Sequence, residues 1–539
     1  MDRDHEDFSL SSDPSAWSLR ATTVAAACDD GDTDGGPRGP KVSRLSNVQL
    51  ATEVEAALVR AVSLSTTLSG WGKHWVRPSL TSTYETEKGH DLSVEVTRYH
   101  HFLSHDWKTG RWSKFLTMLI LFNLRPATIT TLLAAITVGL CKGTGAVYED
   151  GSVSMFLVNF TPYLVFLFFM CFWQRLRSCR PLMVFLDKLC IEQRDPIRKA
   201  KGIRGLAAFL DRSESMVIMW SSQYLTRLWC SYEVATFLRV HGKAKLVTLF
   251  PVSMAWVMIL EAMKLAFATA VILFVFTFGS GGYVLLLTTV WLVVNVLVGP
   301  VYCYIALGLM KEVRGLNHQF RCFSIRNSEC FCCSCGHQDP ETGETLMCDR
   351  QLVYDAVKRW YGADEDEEEE HLDRFDEVVR TTLRSQVSEG AESAVLPFRI
   401  SMYLSLAMSA PFLCGLVTFP LGGDVYARAP PMPDDRGVFY ILWRCLAVTS
   451  LYWLQDVAVC ILSIGLGLRI CKWGSHLLNR CSQVTATLVV SPVLIISMIS
   501  LGLGVSYSFE VLQHQNLWDL MPCLLALWLL VAIGLFKAP

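Results

Sequence analysis

The chain has 539 residues, 52% of them hydrophobic and 18% charged, with a formal net charge of −2. Its mean hydropathy is positive, and its apolar residues gather in blocks too long for core strands, which excludes an ordinary soluble domain. No nucleic-acid partner is expected.

Residues 1–45 contain CDDGDTDGGPRGPK and few apolar groups, too little to offset chain entropy, so a disordered tail is expected. The first apolar block begins beyond residue 110 and no secretory signal is read, which leaves the amino terminus in the cytosol. Residues 46–98 hold NVQLATEVEAALVRAVSLSTTL, which reads as one amphipathic helix with Leu50, Val54, Leu58 and Val62 on a face packed against the next domain. Arg98–Ser104 then reads as a short strand.

A hydrocarbon core about 30 Å thick takes roughly 20 helical residues. Phe115–Cys141, which includes Arg125 and Pro126, and Val153–Trp173 meet that length and form a membrane hairpin over 115–173. β-rich apolar runs follow at Leu182–Leu186, Ser215–Trp220 and Leu246–Phe250. Between the last two lies a helical pattern over Leu225–Val240, with Leu228, Tyr232, Ala235 and Leu238 on one side. Strands alternating with helices argue for a mainly parallel sheet covered on both faces. A second span pair occupies 258–310 (Met258–Phe278 and Tyr283–Met310), and a Cys-rich, acidic segment covers 311–397. Four further spans lie within 398–539: Ile400–Leu421, Ala447–Leu468, Cys481–Phe509 and Leu520–Phe536.

About eight spans in pairs place 174–257, 311–397 and 469–480 on the side of both termini, and these segments are rich in Lys and Arg. The opposite loops 142–152, 279–282, 422–437 and 510–519 carry only Lys142, Arg428 and Arg436, so the termini and the α/β segments are expected in the cytosol. The 19 cysteines would then be mostly reduced or buried in lipid, without a disulfide framework. The expectation is an α-helical polytopic membrane protein, partnered by the lipid bilayer, with a cytosolic α/β domain cut open by a transmembrane hairpin.

Three motifs flank that hairpin: FLSHDW at 102–107, VFLDKLCIEQ at 184–193 and SSQYLTRLWCSYEVATF at 221–237. Their order resembles the TIR (Toll/interleukin-receptor) domain superfamily, over 99–113 and 180–251. FLDKLCIEQRD also resembles the related heterokaryon-incompatibility domains. The most specific match is Ser221, Tyr224, Trp229, Cys230 and Glu233. The resemblance implies a flavodoxin-like fold, here interrupted between its first and second strands. Antiparallel helices pack 8–10 Å apart, so a hairpin returns the chain near its point of departure. The sheet would lie against the inner leaflet, with Arg175, Arg177 and Arg180 at the headgroups.

The resemblance further implies signalling through self-association or contact with other TIR-like domains, and, in enzymatic members, cleavage of the nicotinamide–ribose bond of NAD with Glu233 as the catalytic residue. A carboxylate facing the positive charge that develops on the ribose stabilises the transition state, and a position early on a helix would keep it ionised. The other reading is a surface glutamate on an adaptor-type domain that hydrolyses nothing. Ser104, His105 and Asp106 end the first strand, at the carboxyl edge where open α/β sheets bind ligands. Trp107 would stack on a base or simply pack. Asp187 and Lys188 end the second strand, as cofactor contacts or as an internal salt bridge. Tyr224 and Trp229 read as core anchors, and Cys230 as buried packing rather than a nucleophile.

CFCCSCGH at 330–337, followed by Cys348 and Asp349, offers Cys330, Cys333, Cys335, His337 and Cys348 as zinc ligands, of which about four are needed. Reduced or acylated thiols are the other reading. DEDEEEE at 364–370 reads as a solvated linker, with weak cation binding the other reading. Within the spans, Asp456 and the pair Glu261 and Lys264 either line an ion or substrate path or satisfy one another inside the bundle. No inverted repeat marks a transporter.

Overall fold

The computed structural model describes residues 54–76, 89–146, 151–192, 195–241, 247–278, 283–338, 343, 345–346, 348–362, 369–384, 398–418, 438–514 and 521–537. The expected disordered tail and most of the acidic run lie outside the described residues. Six strands, β1 (Arg60–Ser63), β2 (Val94–Glu95), β3 (Tyr99–His105), β4 (Met183–Phe185), β5 (Ser213–Trp220) and β6 (Val247–Pro251), form one mixed sheet in the order β2-β1-β4-β3-β5-β6. β4, β3, β5 and β6 are parallel, with Phe102 opposite Phe185, His105 opposite Met219 and Met216 opposite Val247. Met216 to Trp220 are all buried, as expected of a parallel strand covered on both faces. Phe102 stacks on Phe185 with ring centroids 4.7 Å apart, and Phe209 closes on Phe185 at 5.2 Å.

The segments before and after the inserted hairpin therefore share one sheet. The hairpin consists of α1 (Arg111–Gly143) and α2 (Gly151–Leu176). Short helices α3 (Pro196–Arg204) and α4 (Leu206–Asp211) lead into β5, and α5 (Leu228–His241) connects β5 to β6. Asp195 caps α3, accepting from the amides of Ile197 at 2.8 Å and Arg198 at 3.4 Å, with Pro196 preset at the first helical position. Asp195→Ala should cost about 1 kcal/mol, read as a small drop in melting temperature.

The expected amphipathic helix over NVQLATEVEAALVRAVSLSTTL is corrected. Among its described residues, Ala56–Leu58 is a short 3₁₀ turn, Arg60–Ser63 is β1 and Leu64–Thr67 is one helical turn. The i, i+4 apolar spacing holds, but Ala61 and Val62 are buried side by side because β1 pairs antiparallel with β4. Burial of both neighbours against a sheet outweighs a weak helical preference.

Beyond the sheet lie α6 (Val252–Phe278), α7 (Tyr283–Arg321), α8 (Asp349–Tyr361), α9 (Glu370–Val378), α10 (Phe398–Met408), α11 (Ala410–Thr418), α12 (Val438–Gly474), α13 (Gln483–His514) and α14 (Met521–Lys537). Among the described residues six helices, α1, α2, α6, α7, α12 and α13, are long and apolar enough to cross a membrane. The apolar block at 400–421 is broken at Ser409. Pro411 lacks an amide hydrogen and its ring crowds the carbonyl four residues back, so α10 ends and α11 begins anew. The last block is a 17-residue helix, α14, about 25 Å long.

Two helices serve both bodies. α1 has 33 residues and α7 has 39, about 50 and 58 Å, well beyond the bilayer core. Phe115, Met118 and Leu119 of α1 and Leu316 and Phe320 of α7 enter the α/β core, whereas Ala127 of α1 and Tyr302, Ala306 and Met310 of α7 lie in the helical bundle. Arg125 and Pro126 thus fall about 21 Å along α1, where it leaves the α/β core. Pro126 deprives the Phe122 carbonyl of its helical donor, and Gln174 of α2 reaches that oxygen at 3.5 Å. Gln174 also donates to Asn123 at 2.9 Å, and Asn123 donates to the Met170 carbonyl at 2.8 Å, which clamps the hairpin at this level. Further along, a methyl group on Gly139 would meet the Cys414 carbonyl oxygen and Val417 Cβ, each at 2.8 Å, so only glycine admits α11 so close to α1.

Candidate functional site

In a parallel sheet whose strands run spatially second, first, third, fourth, connections leave the first strand in opposite directions and open a crevice at its carboxyl end, between the first and third strands. Here those strands are β3 and β5. Ser104 and His105 end β3, with Asp106 and Trp107 next, and Ser221 follows β5. The crevice is bridged: Ser221 Oγ donates to Asp106 at 2.6 Å. Asp106 also accepts from the amides of Lys108 at 2.8 Å and Thr109 at 2.9 Å and from the Thr109 hydroxyl at 2.5 Å. Burial alone would raise the Asp106 carboxyl, but the hydrogen bonds of Ser221 and Thr109 and the nearby Lys114 charge outweigh it and hold it below its ordinary value.

Glu233 lies on α5, facing the same strand end. Ser104 Oγ donates to its carboxyl at 2.5 Å and shares a close hydrogen bond with the Tyr224 hydroxyl. Burial pushes the Glu233 carboxyl up to about 8, against the Ser104 hydrogen bond and helped by the Asp187 charge. The expectation of an ionised carboxylate is therefore corrected. Glu233 is the sixth residue of α5, beyond the first turn where the helix dipole acts, and desolvation dominates.

Trp107 is enclosed. Its indole N–H donates to Asp187 at 2.9 Å, its ring lies edge-on to His105 at 4.5 Å, and Lys114 Nζ stands 4.9 Å from its centroid. Burial raises the Asp187 carboxyl against that indole hydrogen bond, and burial drives His105 well below its usual range, so the imidazole is neutral. The Lys188 ammonium donates to the Val76 carbonyl at 3.1 Å. Sequence reasoning placed Ser104, His105, Asp106, Trp107, Asp187, Lys188 and Glu233 here, and the fold brings them together. It overlooked Trp75, edge-on to His105 at 5.1 Å, and Lys114, because both reach the site from outside the motifs. Tyr224 is more than a core anchor, since its hydroxyl joins the Ser104–Glu233 pair. Cys230 is buried with its thiol directed at the His105 carbonyl, as packing requires.

Most of the arrangement is buried, with Trp107, Asp187 and Glu233 half-buried. Ser104, His105, Asp106, Lys114, Lys188 and Ser221 are all buried. Behind Tyr224 lies a water-sized void lined by Ile218, Trp220, Leu249, Leu316 and Phe320, apolar and far too small for a nucleotide. Comparisons with protein-family models, with curated proteins and with solved structures find no match for the chain.

The Cys-rich segment folds beside α5. Of the expected metal ligands, Cys333, His337 and Cys348 gather, joined by Cys332, which sequence reasoning omitted. Cys330 stands instead with Cys332 and Asp349, and Cys335 turns away, its thiol directed at the carbonyls of Phe331 and Cys332. The segment is tied to the α5 amino terminus: the Glu329 amide donates to the Thr226 carbonyl at 2.7 Å, its carboxylate pairs with Arg227 at 3.1 Å and Lys108 at 2.5 Å, and Trp229 Nε1 donates to Asp349 at 3.2 Å. Among the described residues sixteen cysteines are free thiols, and Cys322 is disulfide-bonded.

Proposed function

We propose that this chain is a membrane-anchored, TIR-like signalling protein that acts by self-association of its α/β body, with NAD hydrolysis latent at Glu233. The observation that carries this reading is the pairing of β3 with both β4 and β5 across an inserted helical hairpin, which gathers Ser104, Asp106, Ser221, Tyr224 and Glu233 at one strand end. Eight spans, with the broken pair α10–α11 and the short α14 completing the set, would keep both termini and the sheet in the cytosol.

The continuous helices supply a route from the bundle to the site. α1 carries Lys114 to the Trp107 ring, and Gln319 near the end of α7 donates to the Ser222 carbonyl at 2.7 Å, in the loop that holds Ser221. A tilt of either helix in the bundle would be felt at the crevice, because packed interiors transmit displacement rather than absorb it. The half-buried, proton-bearing Glu233 favours association over catalysis as the resting behaviour: a neutral carboxyl offers no charge to a developing oxocarbenium ion.

Full-length protein in nanodiscs, dispersed or clustered through a terminal tag, tests this with two readouts. Proximity between differently labelled copies should rise on clustering and persist in Glu233→Gln. Nicotinamide release from NAD should be near background when dispersed, rise at least tenfold when clustered, and vanish in Glu233→Gln. Release that is equal in Glu233→Gln, or absent from clustered wild type, removes the hydrolase. Copies that remain apart at all densities remove the signalling reading itself.

A further inference from the structure

The geometry points to a structural zinc site made of Cys332, Cys333, His337 and Cys348, which cross-links the Cys-rich segment to itself beside the α5 end of the candidate site. The ligand atoms of these four residues all lie within 4.8 Å of one another. Cys333 Sγ is 4.0 Å from Cys332 Sγ, 3.8 Å from Cys348 Sγ and 3.7 Å from His337 Nε2. Tetrahedral zinc, with Zn–S near 2.3 Å and Zn–N near 2.0–2.1 Å, requires S···S edges of about 3.8 Å and S···N edges of about 3.6 Å. The three edges from Cys333 match that geometry, and the other three lie within 4.8 Å.

The backbone is bent to make it. Gly336 and His337 both adopt left-handed conformations, with φ of 66° and 61°, and the second is uncommon for a residue with a side chain. That turn is held by the His337 amide on the Cys332 carbonyl at 2.7 Å and by the Leu346 amide on the His337 carbonyl at 2.8 Å, and it carries the imidazole back over the thiols. The surroundings suit a metal thiolate. The Asp349 amide donates to Cys332 Sγ at 3.2 Å, and the Arg350 guanidinium, which donates to the Arg326 and Ser328 carbonyls, lies near Cys333. Three thiolates, one imidazole and Zn²⁺ sum to −1, which the Arg350 charge offsets; such outer contacts orient and tune metal ligands. The segment has one four-residue helical turn and Phe331 is 53% exposed, so a metal cross-link would add to the contacts at Glu329 and Asp349 that hold it. Three soft thiolates with one imidazole in a closed tetrahedral set select zinc over magnesium or calcium.

The site stands whether or not Glu233 acts on a ligand. Its test is metal analysis of the full-length protein, purified under reducing conditions in detergent, with zinc and cobalt as the probes. One zinc per chain is expected, and cobalt exchange should give the intense visible absorption of a tetrahedral thiolate centre. Cys332→Ser and Cys348→Ser should lose both signals at least tenfold, and Cys335→Ser should keep both. The cobalt spectrum of wild type does not depend on any variant folding. Absence of zinc and of that spectrum in wild type overturns the site. Loss in Cys335→Ser as complete as in Cys332→Ser overturns the ligand set.

Discussion

Glu233→Gln should hold its melting temperature as pH rises from 6 to 9, where the wild-type protein loses stability. Burial raises the Glu233 carboxyl to about 8, so the folded state holds a proton that the unfolded chain releases near 4.5. The stabilising contribution of that protonated carboxyl is complete below about 4.5. It declines as pH climbs from there and is lost once the folded carboxyl itself ionises near 8. Each unit within that window removes about 1.4 kcal/mol, so the two units between pH 6 and pH 8 remove about 2–3 kcal/mol. Glutamine keeps the carbonyl that accepts from Ser104 and has nothing to titrate, so its pH profile should be flat over this range. Thermal melts of both proteins at several pH values, followed by tryptophan fluorescence, measure the difference. Parallel profiles would mean that Glu233 is ionised and solvated in the folded protein, and the buried-site description would fail. The same proton makes any NAD cleavage by Glu233 rise toward alkaline pH or on opening of the site.

The second large effect is expected in the bundle. Glu261 and Lys264 pair at 2.5 Å one turn apart on α6, both buried, with Lys264 Nζ also 3.5 Å from Ser463 and 5.7 Å from the Tyr302 ring centroid. Glu261→Ala would strand a buried ammonium and should cost about 3–5 kcal/mol. Replacing both residues by leucine removes charge and counter-charge together and should fall within about 1–2 kcal/mol of wild type, or be more stable. A double-mutant cycle on detergent-solubilised protein reads this directly. A double variant as damaged as Glu261→Ala would contradict a structural pair. If the double variant instead folds and loses ion flux that wild type carries in liposomes, the pair lines a conduction path.

Much of the architecture was legible because it is written in local pattern. Apolar blocks of about 20 residues are recognisable without knowing their neighbours, as is the buried run Met216 to Trp220. The motifs at 102–107, 184–193 and 221–237 each end or follow a strand, and parallel strands bring their carboxyl ends to one edge, so the site residues converge once the sheet is inferred. β1 was misread because Arg60–Ser63 is equally compatible with a helix, and only the presence of β4 beside it decides the matter. Cys332 was passed over for Cys335 because spacing alone cannot say which thiols turn inward; the left-handed turn at Gly336 and His337 does.

The amino-acid sequence by itself determined a polytopic, helix-rich chain with an interrupted α/β segment, since hydropathy and strand–helix alternation are properties of short stretches. Tertiary structure alone decided the surroundings of Glu233, which thiols gather around Cys333 and the passage of α1 and α7 from bundle to sheet. The surroundings of Glu233 and the two shared helices depend on packing between segments a hundred residues or more apart, and the thiol cluster on the left-handed turn at Gly336 and His337.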